Sequence, residues 1–150
     1  MSWKDVAETI GIGTIVVSLI LLAYEVRQNT KAIQQEAAAT YASNSIQLNL
    51  FVSENSDFAD IIVKSRSHEL SAEEQLRLDV FYRGVAQNWQ NTQFQYLSGT
   101  LADELWESEV KFMAAIIRGN SNTWNRYWSR EKAFFTDEFN SLVAEVMNPD

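Results

Sequence analysis

The chain has 150 residues, of which 46 % are hydrophobic, with one proline, five glycines and no cysteine. That length suits one domain with enough apolar material for a core, and the missing cysteine excludes disulfides and thiolate metal sites. A formal net charge of −8 argues against a polyphosphate partner, so no nucleic acid is expected, and against a polybasic anchor on anionic lipid.

Residues 10–24, "IGIGTIVVSLILLAY", carry no charge. As a helix they span about 22 Å, short of a bilayer core of roughly 30 Å. Trp3 and Tyr24 lengthen the estimate: on one helix they stand about 32 Å apart and suit the two interfacial belts. The alternative is the core helix of a soluble bundle. Against it, Ile15, Val16, Val17, Leu19, Ile20, Leu21 and Leu22 cover every face. A helix apolar all round belongs in lipid or at the centre of a large protein. A cleaved signal peptide is disfavoured by "MSWKDVAET", which is not basic, and by the lack of a small-x-small site after the run. The segment is therefore predicted to be a membrane anchor with lipid as its first partner. Lys4 on one side and Arg27 with Lys31 on the other place the C-terminal part in the cytoplasm.

Past Tyr24 the chain has neither proline nor glycine until well beyond "SENSD", residues 53–57. Alanine, glutamine, glutamate and lysine dominate up to Ala39, and these favour helix. One continuous helix is predicted from about Trp3 to about Val52. Ala7, Gly11, Thr14, Ser18, Leu21, Glu25 and Gln28 recur at alternating spacings of four and three, a heptad seam. Small residues let membrane helices approach closely, so this seam is the predicted oligomer interface. The stalk beyond the span shows only a thin apolar stripe, Val26, Ile33, Ala37, Tyr41, Ile46 and Phe51. A free helix of that kind needs partners along it, here expected to be other copies.

A short helix over residues 57–66 comes next. "LSAEEQLRL" carries a capping box, Ser71 with Glu74. The helix it starts should bury Leu78, Phe81, Val85, Ala86, Trp89 and Tyr96 and stop at Leu97, with Gly99 as its C-cap. Another helix follows Thr100, with a stripe of Leu105, Val110, Met113, Ala114 and Ile117, and is ended by Gly119. "GNSN", residues 119–122, reads as a turn. "TWNRYWSREKAFF" is an aromatic-rich helical piece, and Thr136 caps a last helix turning Phe139, Leu142, Val143 and Val146 inward. No stretch alternates with period two. The fold class is all-α: an N-terminal transmembrane helix continuing into a long helix, then a small helical bundle. The divisions are anchor 1–26, stalk 27–56 and bundle 57–150.

Catalytic groups are scarce. A di-iron bundle needs Glu-x-x-His on two helices, and the one histidine, His68, has Ser65 three positions before it. One histidine without cysteine also removes the usual nucleophile–base pairs. No enzyme activity, no metal and no cofactor is expected. The acidic run "ADELWESE", residues 102–109, reads as a solvated face. Trp124, Tyr127 and Trp128, with Arg126 and Arg130 interleaved, form the densest aromatic cluster. They are a possible ligand cluster. The competing reading makes them core residues under arginine stems.

The span running into "YEVRQNTKAIQ", the pair in "WNRYW" and the closing "FFTDEFNSLVAEVM" carry a resemblance. The chain resembles a group of short bacterial proteins that begin with one span, continue with Arg-Gln-Asn (here Arg27, Gln28 and Asn29) and end in an aromatic C-terminal helix. The resemblance implies a bacterial source, an inner-membrane anchor and a helical soluble part, and supplies no catalytic residue. The leading expectation is an oligomeric scaffold or an accessory subunit beside other membrane proteins. One alternative is a homo-oligomeric pore, with Thr14 and Ser18 in the lumen and rings of Glu25 and Gln28 at its exit. The other is a binding module built on the aromatic cluster.

Overall fold

The computed structural model describes residues 2–148. Six α-helices follow one another: α1 Trp3–Glu54, α2 Ser56–Lys64, α3 Ala72–Leu97, α4 Asp103–Gly119, α5 Ser121–Glu131 and α6 Asp137–Met147, with a 3-10 turn over Lys132–Phe134 before the last. Among the described residues there is no strand. The all-α architecture follows from the sequence, which offers helix formers and caps throughout and no alternating segment.

The chain divides into Met1–Glu36 and Ala37–Asp150, and the division falls inside α1. The boundary differs from the expected stalk of residues 27–56. Residues 37–54 of α1 belong to the bundle. Leu48 and Val52 pack against its core, and Phe51 meets Phe58 at 5.3 Å and Phe81 at 6.1 Å between ring centroids. The inward face of this part carries Ala37, Ala38, Tyr41, Asn44, Ser45, Leu48 and Val52, three of the seven polar, while Ile46 and Phe51 stay about half exposed. Of the expected stripe, Ala37 and Tyr41 lie on this face, Ile46 lies off it, and Phe51 stands at its edge against Phe58 and Phe81. For this stretch the chain's own bundle supplies one partner.

Local chemistry sets most helix ends. Asn55 breaks α1 from α2, its side-chain amide donating to the Phe51 carbonyl at 2.7 Å. At the start of α3 the Ser71 hydroxyl accepts from the Glu74 amide at 3.2 Å, and the Glu74 carboxylate accepts from the Ser71 amide at 2.7 Å. Lys64 reaches the same carboxylate at 2.8 Å. That ammonium and the Ser71 amide hold the Glu74 carboxyl below its usual range. Ser71→Ala is expected to cost about 1 kcal/mol, read as a lower denaturation midpoint of the full chain in mild detergent; Ser71→Asp should retain most of it. An unchanged midpoint in the alanine variant would show that packing alone fixes this end.

α3 stops at Leu97. Ser98 is the C-cap, and Gly99, one position later than expected, takes φ +74°. Gly99 N–H donates to the Tyr96 carbonyl and Thr100 N–H to the Gln95 carbonyl, both at 2.9 Å. That is the Schellman pattern, and it needs a left-handed residue where Gly99 stands. The expected turn over 119–122 shrinks to a single residue: Asn120 closes α4 and opens α5. Its amide holds the Ile116 carbonyl at 3.1 Å while its side-chain oxygen accepts from Arg66 at 3.0 Å, so no further loop residue is needed. Thr136 caps α6 as expected, accepting from the Phe139 amide.

The core joins Phe58 and Ile61 of α2, Leu78, Tyr82, Val85, Ala86 and Trp89 of α3, Met113 and Ile117 of α4, Trp124, Tyr127 and Trp128 of α5, and Phe139, Val143 and Val146 of α6. Phe81 and Tyr96, expected inside, are only partly buried, while Tyr82 is fully inside.

Candidate functional site

Among the described side chains of residues 1–36 none is buried. The large apolar side chains from Ile10 to Leu22 are all 49–65 % exposed, whichever way they point around the helix. The described residues include one helix long and apolar enough to cross a membrane, and none of its apolar window is buried. A helix that served as this chain's own core would be covered. A continuous apolar surface of this kind marks a lipid or protein contact.

On that surface the expected anchors Trp3 and Tyr24 stand exposed. Of the seam, Gly11, Thr14, Ser18, Leu21, Glu25 and Gln28 are all exposed; the side chain of Ala7 lies outside the described residues. The Thr14 hydroxyl donates to the Ile10 carbonyl at 2.9 Å and the Ser18 hydroxyl to the Thr14 carbonyl at 2.8 Å. Bonding back to the helix leaves neither hydroxyl hydrogen in need of water. The Gln28 amide donates to the Tyr24 hydroxyl at 2.6 Å. A side chain added at Gly11 would meet nothing within 4 Å.

The aromatic cluster is core. Trp124 and Tyr127 are fully buried and Trp128 nearly so. Trp124 stacks on Trp128 at 5.6 Å and lies 5.5 Å from both Tyr82 and Trp89, and Trp128 meets Phe139 edge-on at 5.8 Å. The rings pack against one another. Arg130 reaches away to Asp79 at 2.6 Å. Burial also leaves the Trp124 indole N–H and the Tyr82 and Tyr127 hydroxyls without hydrogen-bond partners, and it pushes the Tyr82 phenol up to about 12. His68 lies between α2 and α3, exposed, with its Nδ1 2.8 Å from the Ser67 hydroxyl.

The strongest polar site is one that the sequence reading missed. Glu109 belongs to the acidic run 102–109, yet it is only 4 % exposed, a correction to the solvated face expected there. Glutamate is seldom buried without a charged partner. The Tyr41 hydroxyl of α1 donates to its Oε2 at 2.8 Å, and the Trp89 indole of α3 lies beside the carboxylate and favours its charged form. Beside this contact the Asn44 amide donates to Asn88 Oδ1 at 2.9 Å. The ion pairs among the described residues are Lys64–Glu74, Arg83–Glu131, Lys111–Glu107 and Arg130–Asp79, and none includes Glu109. A cavity of about 190 Å³ lies against the carboxylate. The one available signal was register. Glu109 stands four positions after Leu105 and four before Met113, in line with the apolar stripe.

Burial raises the Glu109 carboxyl above its usual range, against the pull of its two neutral neighbours. The folded chain then binds more protons than the unfolded one between the ordinary glutamate value of about 4.3 and the raised one. Stability drawn from Glu109 should fall as pH rises through that window and level off above it. Tyr41, the titratable group against it, is itself pushed up to about 12 by burial and by the carboxylate, and stays neutral throughout. The check is a set of denaturant titrations of wild type and Glu109→Gln in amine-free phosphate buffer across pH 4 to 8. The difference between them should decline with pH. A rise would mean that a cation holds the carboxylate.

No protein family, no curated protein and no solved structure matches the chain.

Proposed function

We propose that the chain is a single-pass membrane protein whose helical bundle acts as a scaffold or accessory subunit, by assembly and without chemistry of its own. The observation that carries this reading is the apolar surface of α1 over residues 10–22, exposed on every side. Lipid covers most of such a surface, and the small-residue seam supplies the part that another helix can cover. The internal bonds of Thr14 and Ser18 favour a dry helix contact over a water-filled lumen, since both hydroxyl hydrogens are already used. The resemblance to short bacterial single-span proteins supports the inner membrane as the location. The positive residues Arg27 and Lys31 support a cytoplasmic bundle.

Gly11 offers a clean test, because a larger side chain there disturbs nothing in the single chain. The full-length protein should stay in the membrane pellet through alkaline carbonate and show an oligomeric mass in mild detergent. Gly11→Leu with Ser18→Leu should lower that mass to the monomer while membrane retention stays. A protein that stays soluble without detergent would remove the anchor. A monomeric wild type, or unchanged assembly in the double variant, would remove the interface.

A further inference from the structure

We infer that the cavity beside Glu109 is a binding site for a small organic ammonium ion. Four observations lead there. The carboxylate is nearly fully buried and has no cation among the described residues. The groups beside it, the Tyr41 hydroxyl and the Trp89 indole, are neutral, so neither supplies a counter-charge. Tyr41, Trp89 and Phe112 line the adjoining cavity, and aromatic rings attract a cation. Ser45, Ser108 and Asn49 add oxygens that accept from an ammonium N–H.

Other ligand classes fit less well. An anion would face Glu109 directly. An uncharged apolar molecule would leave the buried charge as it is. A divalent metal ion asks for six or more oxygen ligands, and much of this wall is aromatic. Size narrows the choice further. The volume is about 190 Å³, and one water occupies about 30 Å³ in the liquid. That is room for the ammonium group and a short alkyl chain. The only titratable groups on the wall are Glu109 and Tyr41. Protons and the ammonium then compete for the same carboxylate, and binding tightens as pH rises.

The test uses the full chain in a non-ionic detergent, with n-butylammonium as probe and n-butanol as its uncharged isostere, followed by calorimetry in phosphate buffer. Wild type should bind butylammonium saturably, one per chain, and at least about tenfold more tightly than butanol, because the pairing charge is desolvated. Glu109→Gln should lose that preference. Phe112→Leu, at a half-exposed position where the fold is under little demand, should weaken butylammonium by roughly two- to fivefold and leave butanol unchanged. That variant keeps the test decisive if the glutamine variant does not fold. No saturable binding by wild type, equal binding of the two probes, or full preference retained in a folded Glu109→Gln protein would overturn the site. Membrane retention does not enter any of these readings, so the result stands apart from the anchor.

Discussion

Trp124→Ala should be among the most destabilising single changes in the bundle. Trp124 is fully buried and contacts four other rings, Tyr82, Trp89, Tyr127 and Trp128, at centroid distances of 5.4 to 5.6 Å. Truncating a buried tryptophan costs about 3–5 kcal/mol, out of a total that is typically about 5–15 kcal/mol. The loss also opens a cavity at the meeting point of α3 and α5, where neither helix can move in without dragging its other contacts. Trp124→Phe separates two contributions. It keeps a ring in place and removes an indole N–H that has no partner, so it should cost clearly less than the alanine change. Thermal denaturation followed by near-ultraviolet circular dichroism reads both. The alanine variant should drop by more than roughly 10 °C. A drop of only a few degrees would mean that the cluster carries far less of the stability than its burial indicates.

The second large effect lies in the N-terminal unit. Val17 and Ile20 stand near the middle of the uncharged run and are 57 % and 64 % exposed. Placing arginine at the centre of a spanning helix costs about 2.5–3.5 kcal/mol per residue on the insertion scale. Val17→Arg with Ile20→Arg together should therefore move the protein from the membrane pellet to the soluble fraction. The bundle should keep its near-ultraviolet spectrum, since neither residue belongs to its core. Leu76→Arg is the control: that residue is 63 % exposed on α3, and its change should leave the protein in the pellet. If the double arginine variant still sediments with membranes, the run at 10–24 is not what holds the chain there.

These two predictions draw on different kinds of information. The apolar run, the unbroken helix through it and the caps at Ser71 and Thr136 were all legible in the sequence. Each depends on residues within a turn or two of one another. A capping box closes over three positions, and a charge-free run is apolar whatever packs on it. The same holds for the Schellman end at Gly99, where only the position of the cap was off by one. Helix type and order, and with them the all-α fold, follow from signals of that range.

Tertiary structure alone decided what the polar residues do. Tyr41 and Glu109 meet across 68 positions of sequence and Asn44 and Asn88 across 44. A local pattern carries no record of such partners. Glu109 sits in a run of acidic residues and looked solvated, because hydropathy assigns a carboxylate to water by default. Its register with Leu105 and Met113 places it on the inward face, and Tyr41 and Trp89 from two other helices offset part of the desolvation. Residues 37–54 of α1 show the same effect on a larger scale. Their inward face mixes polar and apolar residues, so an apolar pattern found Ala37 and Tyr41 but passed over Asn44 and Ser45. Tyr41 and Asn44 find hydrogen-bond partners there that water would otherwise supply. Trp124, Tyr127 and Trp128 could be named from sequence as a cluster, but whether an aromatic cluster is a wall or an interior depends on what surrounds it. Here Tyr82, Trp89, Phe135 and Phe139 surround it, and it is the interior.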